Sequence, residues 1–246
     1  MRLKSVVKYN ISEMKYSVLI FYVIIAAIMM LITVAVVGIS SNGNVIRFGG
    51  GGVEIASAIF LFVCGLNSFK PNYLFLSTHG ITRKAQFYGF LISSLLIALI
   101  MGAIDTAYGN ILREFVDYET MFRQIYSGFV SDTVNPLVLL LGLVWSAALY
   151  FFAMVLGYFI TTLYYRMSKM LKIIVSVGFV ALILNILPAL DQTFNDGKII
   201  SWIGKLFLTL AGVKTTPLIA VISLVVSIAI FSGLAYFLVR RAPVKE

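Results

Sequence analysis

The sequence predicts an all-α polytopic membrane protein, a single transmembrane domain over residues 1–246 with six membrane-spanning helices, an interfacial N-terminal helix and shorter amphipathic helices in the connections. Three observations carry this. Of 246 residues, 61% are hydrophobic and only 12% charged, and the mean hydropathy is +1.00; a soluble chain of this size has too much surface for so few charged side chains. Six charge-free stretches of 23, 15, 18, 30, 18 and 25 residues follow one another, and a helix needs roughly 20 apolar residues to cross a bilayer core of about 30 Å. The runs are continuous and rich in Leu, Ile, Phe and Ala, without the alternation over about ten residues that marks a transmembrane barrel.

The elements follow in order. In residues 1–16, Leu3, Val7, Ile11 and Met14 recur at intervals of four, four and three, while Lys4, Lys8 and Lys15 share a neighbouring face. That pattern predicts a helix lying in the interface before the first span, at about 17–39. The second span, about 53–69, has a core from Ile55 to Phe69 and extends backwards if Glu54 sits near the headgroups or is shielded by protein. A loop at 70–86 follows: Pro71 is expected to stop the incoming helix, Tyr73 to Leu76 to form a short apolar surface helix, Gly80 to break the chain, and Thr82 to cap the third span at about 87–105.

Between spans three and four, Ile111, Phe115, Tyr118, Phe122, Ile125 and Phe129 recur at helical spacing with Glu114, Asp117 and Glu119 between them, which predicts an outer amphipathic helix. The fourth and fifth spans are placed at about 136–163 and 173–190. Ile200, Ile203, Phe207 and Leu210 repeat the amphipathic pattern beside Trp202, a residue favoured at interfaces, and the last span covers about 215–239.

Basic residues separate the two faces. The termini and alternate loops hold 13 basic residues against two acids, and the opposite loops hold six against eight, which places both termini in the cytoplasm. The net charge of +9 is thus a topology signal with attraction to anionic lipid, and not a nucleic-acid footprint.

Chemistry of the protein's own is not expected. His79 is the only histidine and Cys64 the only cysteine, so neither multi-histidine metal sites nor disulfides arise. The Gly49 to Gly52 run lacks the Gly-Lys-Ser/Thr ending of a phosphate cradle. Asp105 and Asp191 border outer span ends and read as interface residues. With essentially no charge inside the spans, coupling to an ion gradient is disfavoured, and the 31 residues of the longest connection leave no room for a catalytic domain. No catalytic, cofactor-binding or metal-binding residue is expected.

The loop at 70–86 resembles that of type-2 ABC export permeases, in which a Leu/Ser, Gly, Ser/Thr, Arg sequence precedes the third span; the matching residues are Leu76, Ser77, Gly80, Ile81, Thr82, Arg83 and Lys84. The number of spans, the interfacial N-terminal helix and the extended segment before the last span extend the resemblance over the whole chain. The resemblance implies that the loop is a coupling helix docked on an ATPase subunit, with Phe75 and Leu76 as apolar anchors and Arg83 and Lys84 as polar contacts. It also implies an N-terminal element of Lys4, Val7, Lys8, Ile11, Met14 and Lys15, and an outer gate near Trp202, Ile203 and Phe207. The long connection between spans three and four is larger than in that family.

The implied assembly is two ABC ATPase chains, carrying ATP and magnesium, below this permease and a second copy or paralogue, in the cell membrane of a bacterium. The resemblance is closest to Gram-positive exporters of amphipathic peptides such as phenol-soluble modulins and bacteriocins. Phe, Tyr, Leu and Met in nearly uncharged spans agree with an amphipathic or hydrophobic cargo. A self-contained carrier or channel independent of ATP is the competing reading, and an intramembrane enzyme is disfavoured because no histidine partner or pair of buried acids is evident.

Overall fold

The computed structural model describes residues 2–40, 52–115, 118–129, 135–181, 188, 201–202, 204–205, 209 and 216–241. Among these the regular structure is α-helical: α1 (Arg2–Ser40), α2 (Gly52–Thr78), α3 (Arg83–Phe115), α4 (Met121–Ile125), α5 (Pro136–Arg166), α6 (Lys169–Ala181) and α7 (Pro217–Arg240). Five helices, over Leu3–Leu31, Gly52–Thr78, Arg83–Arg113, Pro136–Arg166 and Pro217–Arg240, are long and apolar enough to cross a membrane, and the chain reads as a multi-pass membrane protein. The span expected at 173–190 coincides with α6 as far as residue 181, and most of its second half lies outside the described residues.

Helix α5 is the centre of the bundle, with α2, α3 and α7 packed on it. Its start is set locally: Asn135 accepts a hydrogen bond from the Leu137 amide at 3.1 Å, and Pro136 occupies the first turn, where a missing N–H costs nothing. The α2–α5 seam is a backbone contact. A Cβ added at Gly157 would lie 2.8 Å from the Leu66 nitrogen and closer still to the Phe62 carbonyl oxygen, and one at Gly65 would strike the Met154 carbonyl. Thr161, one turn beyond Gly157, donates to the Leu66 carbonyl at 2.6 Å. In hydrocarbon, where burial of apolar surface no longer drives association, close approach at small residues and hydrogen bonds of this kind hold helices together.

Helix α1 departs from the expected surface helix. It runs unbroken from Arg2 to Ser40, and residues 6–22 pack along α3 with a constant offset: Val6 against Gly89, Asn10 bonded to Ser93 at 3.3 Å, Tyr22 bonded to Asp105 at 2.8 Å. Steps of four residues on both helices keep the contact on one face of each, and the shared direction makes the two helices parallel. The N-terminal segment therefore belongs to the bundle, because Gly89 and Ser93 leave room for it. Its buried face is Val6, Asn10 and Met14; Leu3, Val7 and Ile11, which with Met14 form the apolar stripe of the expected interfacial helix, line an open groove with Lys4, Lys8 and Lys15.

Two further expectations are corrected. Pro71 does not end α2, which continues to Thr78. Phe69, Tyr73 and Leu76 fall on one face, and the rings of Phe69 and Tyr73 meet that of Tyr165 at 5.3 and 6.0 Å, so packing against α5 outweighs the lost hydrogen bond. Residues 111–129 are not one amphipathic helix: α3 itself extends to Phe115, and the five-residue α4 folds back on the bundle. Tyr118, Phe122 and Tyr126 are buried there, with Phe122 and Tyr126 around Trp145.

Candidate functional site: the α2–α3 turn and a buried acidic centre

The α2–α3 turn is built from its own backbone. Gly80 adopts φ +66°, its amide bonds the Ser77 carbonyl at 3.0 Å, and the Ile81 amide bonds the Leu76 carbonyl at 3.0 Å. This is a Schellman closure, with glycine at the one position that needs the left-handed region. Thr82 then precedes α3, its carbonyl accepting from the Gln86 amide at 3.1 Å. The Gln86 side chain reaches back to Ser77 Oγ at 3.3 Å and the Ile81 carbonyl at 2.9 Å. The turn is a rigid unit.

The turn is also tied to other helices. Arg83 donates to the Arg240 carbonyl at the end of α7, 2.7 Å away, where a cation meets the negative end of a helix dipole. Phe75 stacks on Tyr9 of α1 at 5.0 Å and lies 4.4 Å from the His79 ring. Phe75 is 45% exposed, whereas Leu76 is only 4% exposed. Leu76 is therefore a core residue and not a surface anchor, because it continues the α2 face that packs inward. Thr82, Arg83 and Lys84 are exposed and Ser77 is half-buried.

Among the remaining predicted positions, Lys4, Lys8 and Lys15 are exposed, Val7 and Ile11 half-buried and Met14 buried. Trp202 is exposed; Ile203, Phe207 and Asp191 lie outside the described residues.

The sequence reading missed a second constellation at the other end of the bundle. Asp105 is 2% exposed and Glu54 4% exposed: Glu54 is shielded by protein, one of its two expected placements, and Asp105 is enclosed by protein as well. Asp105 accepts from Tyr22 of α1 at 2.8 Å and from Tyr150 of α5. Glu54 accepts from the Met121 amide at 3.1 Å and from Tyr118 at 3.3 Å, which fastens α4 to α2. Ser57, one turn from Glu54, is fully buried beside Asp105, Tyr22 and Tyr150. The signal in the sequence was a set of isolated polar tips in apolar helices, Tyr22, Ser57, Asp105 and Tyr150, but four separate helices contribute them and only packing joins them.

Comparison of the chain with protein-family models, curated proteins and solved structures finds no match.

Proposed function

We propose that the chain is the membrane-spanning permease subunit of an ATP-driven ABC exporter that translocates an amphipathic or hydrophobic substrate, with peptides or toxins as the cargo class. The observation that supports this most is the α2–α3 turn: a closed, rigid turn presenting one half-exposed aromatic, Phe75, flanked by the rings of Tyr9 and His79, and joined directly to α1 and α7. A partner pressing on this turn moves four helices together, which is what transmission of ATP-driven closure requires. In this reading the turn faces the cytoplasm by its positive charge, ATP and magnesium stay on two partner ATPase chains, a second permease copy completes the pathway, and the transporter resides in a bacterial cell membrane.

Aromatic residues at the centre of a docking patch carry about 2 kcal/mol or more, so Phe75→Asp should weaken ATPase binding by about thirtyfold or more. The test is co-purification with each candidate ABC ATPase, followed by substrate-stimulated ATP hydrolysis, with Tyr9→Phe as a control that keeps the ring stack. Transport by the chain alone in liposomes, with no ATPase retained, would overturn the proposal. The buried carboxylates Asp105 and Glu54 favour the second reading, a carrier that needs no ATP, and the same liposome measurement separates the two.

A further inference from the structure

The acidic centre has a ligand chemistry of its own, whichever partner docks at the opposite end. Asp105 and Glu54 lie toward the same end of the bundle, and both are withdrawn from solvent. Among the described residues the groups bonding them are neutral: Tyr22 and Tyr150 on Asp105, Tyr118 and the Met121 amide on Glu54. Two ionised carboxylates held this way in a dry interior are expensive, and the expense is relieved when positive charge binds.

The hydrogen bonds show where that charge goes. The Tyr22 hydroxyl reaches two acceptors, Asp105 Oδ1 at 2.8 Å and the Met101 carbonyl at 3.2 Å, and its one hydrogen serves either. Ser57 Oγ, fully buried in α2, has no hydrogen-bond partner among the described residues. Each Asp105 oxygen accepts one phenol hydrogen, and the Met101 carbonyl offers the Tyr22 hydrogen a second place, so a proton is accommodated by turning a hydroxyl.

We propose that Asp105 is a proton-binding site at the junction of α1, α2, α3 and α5. A hydronium ion of the bulk solvent gives up a proton and is left as water; the proton forms an O–H bond at Oδ1, and the carboxylate becomes a neutral acid. That O–H donates to Tyr22 Oη, and the Tyr22 hydrogen turns from Asp105 to the Met101 carbonyl. Tyr150 continues to donate to Oδ2. The groups facing Asp105 are Tyr22 from α1, Glu54 and Ser57 from α2 and Tyr150 from α5; Arg123 lines a small cavity with Glu54. Proton uptake changes the bond that clasps α1 to α3 at this end, and so reaches the groove of about 580 Å³ between those helices, which Tyr22 and Met101 line.

The test is infrared difference spectroscopy of the purified chain in lipid nanodiscs, stepped from alkaline to acidic pH, reading the C=O stretch of a protonated carboxylic acid. The band should appear in the wild-type protein and in Glu54→Gln, and be lost in Asp105→Asn. Tyr22→Phe removes the one group that donates to the ionised carboxylate and accepts from the acid, so the pH midpoint of the band should move from its wild-type value. Tyr22→Phe keeps the ring packing and tests the same point if Asp105→Asn does not fold. A band unchanged in Asp105→Asn, a midpoint unmoved in Tyr22→Phe, or a response to sodium at fixed pH in place of the pH response would each overturn the proposal.

Discussion

Substitution of Gly157 by alanine tests whether the α2–α5 backbone contact holds the bundle together. The new Cβ would stand 2.8 Å from the Leu66 nitrogen, with the Phe62 carbonyl oxygen nearer still, whereas ordinary contact begins at 3.4 Å. The two helices must therefore separate by roughly 1 Å to clear the nearer Phe62 carbonyl oxygen, and the obstructing atoms are backbone, which no rotamer change can move aside. Forced overpacking of this kind costs about 1–3 kcal/mol, and the nearby Thr161 bond to the Leu66 carbonyl, about 0.6 kcal/mol in membrane bundles, stretches with it. The expected loss is about 2–4 kcal/mol. Gly233→Ala in α7 is the internal reference: a Cβ there meets nothing within 4 Å, so only the helix preference of alanine, up to about 1 kcal/mol in its favour, remains. Reversible unfolding of both variants in mixed micelles gives the difference directly. If Gly157→Ala is no less stable than Gly233→Ala, the helices are not in the contact described and the reasoning fails.

Other consequences are as direct. Gly80→Ala should cost about 1–2 kcal/mol through its left-handed backbone alone, since a Cβ there has open space, and Gly80→Asn should recover most of it; thermal unfolding of the pair measures this. Glu54→Ala removes the acceptor of the Met121 amide and Tyr118, at about 1–3 kcal/mol for the donors left behind, and should release Phe122 and Tyr126 from Trp145, read as a red shift of tryptophan emission against a Trp202→Phe background. Burial pushes the Tyr126 phenol above its usual value. The folded state therefore holds that proton more tightly than the unfolded chain, and the packing of α4 should be intact below about pH 10 and weaken as pH rises beyond it, which hydrogen exchange at residues 121–126 would show.

The legible part of this protein lay in one-dimensional properties. Long apolar runs must become helices in a bilayer because no other open structure satisfies its backbone there, so the spans at 53–69 and 136–163 fall inside α2 and α5, and that at 215–239 coincides with α7 from residue 217 on. Gly80 was readable as a break because only a residue without Cβ adopts the left-handed region freely. Pro71 and Leu76 were misread together. A proline predicts a stop when local energies decide, but the face formed by Phe69, Tyr73 and Leu76 gains more from packing on α5 than the missing hydrogen bond loses. The N-terminal face was misplaced for a similar reason: Leu3, Val7 and Ile11 are the more apolar stripe, yet Gly89 and Ser93 on α3 accept Val6 and Asn10.

By itself, then, the sequence determined that the chain is helical, that it lives in a membrane, where several crossings fall and which end of the bundle is basic, because each of these follows from hydropathy, charge and backbone rules acting over a few turns. Only the tertiary structure decided which polar side chains meet. Tyr22, Ser57, Asp105 and Tyr150 stand far apart along the chain and come together because α1 and α3 run parallel in register while α2 and α5 close on each other at Gly65 and Gly157. Helix registry depends on small residues and shape on two surfaces at once, and no pattern along a single strand of sequence encodes that.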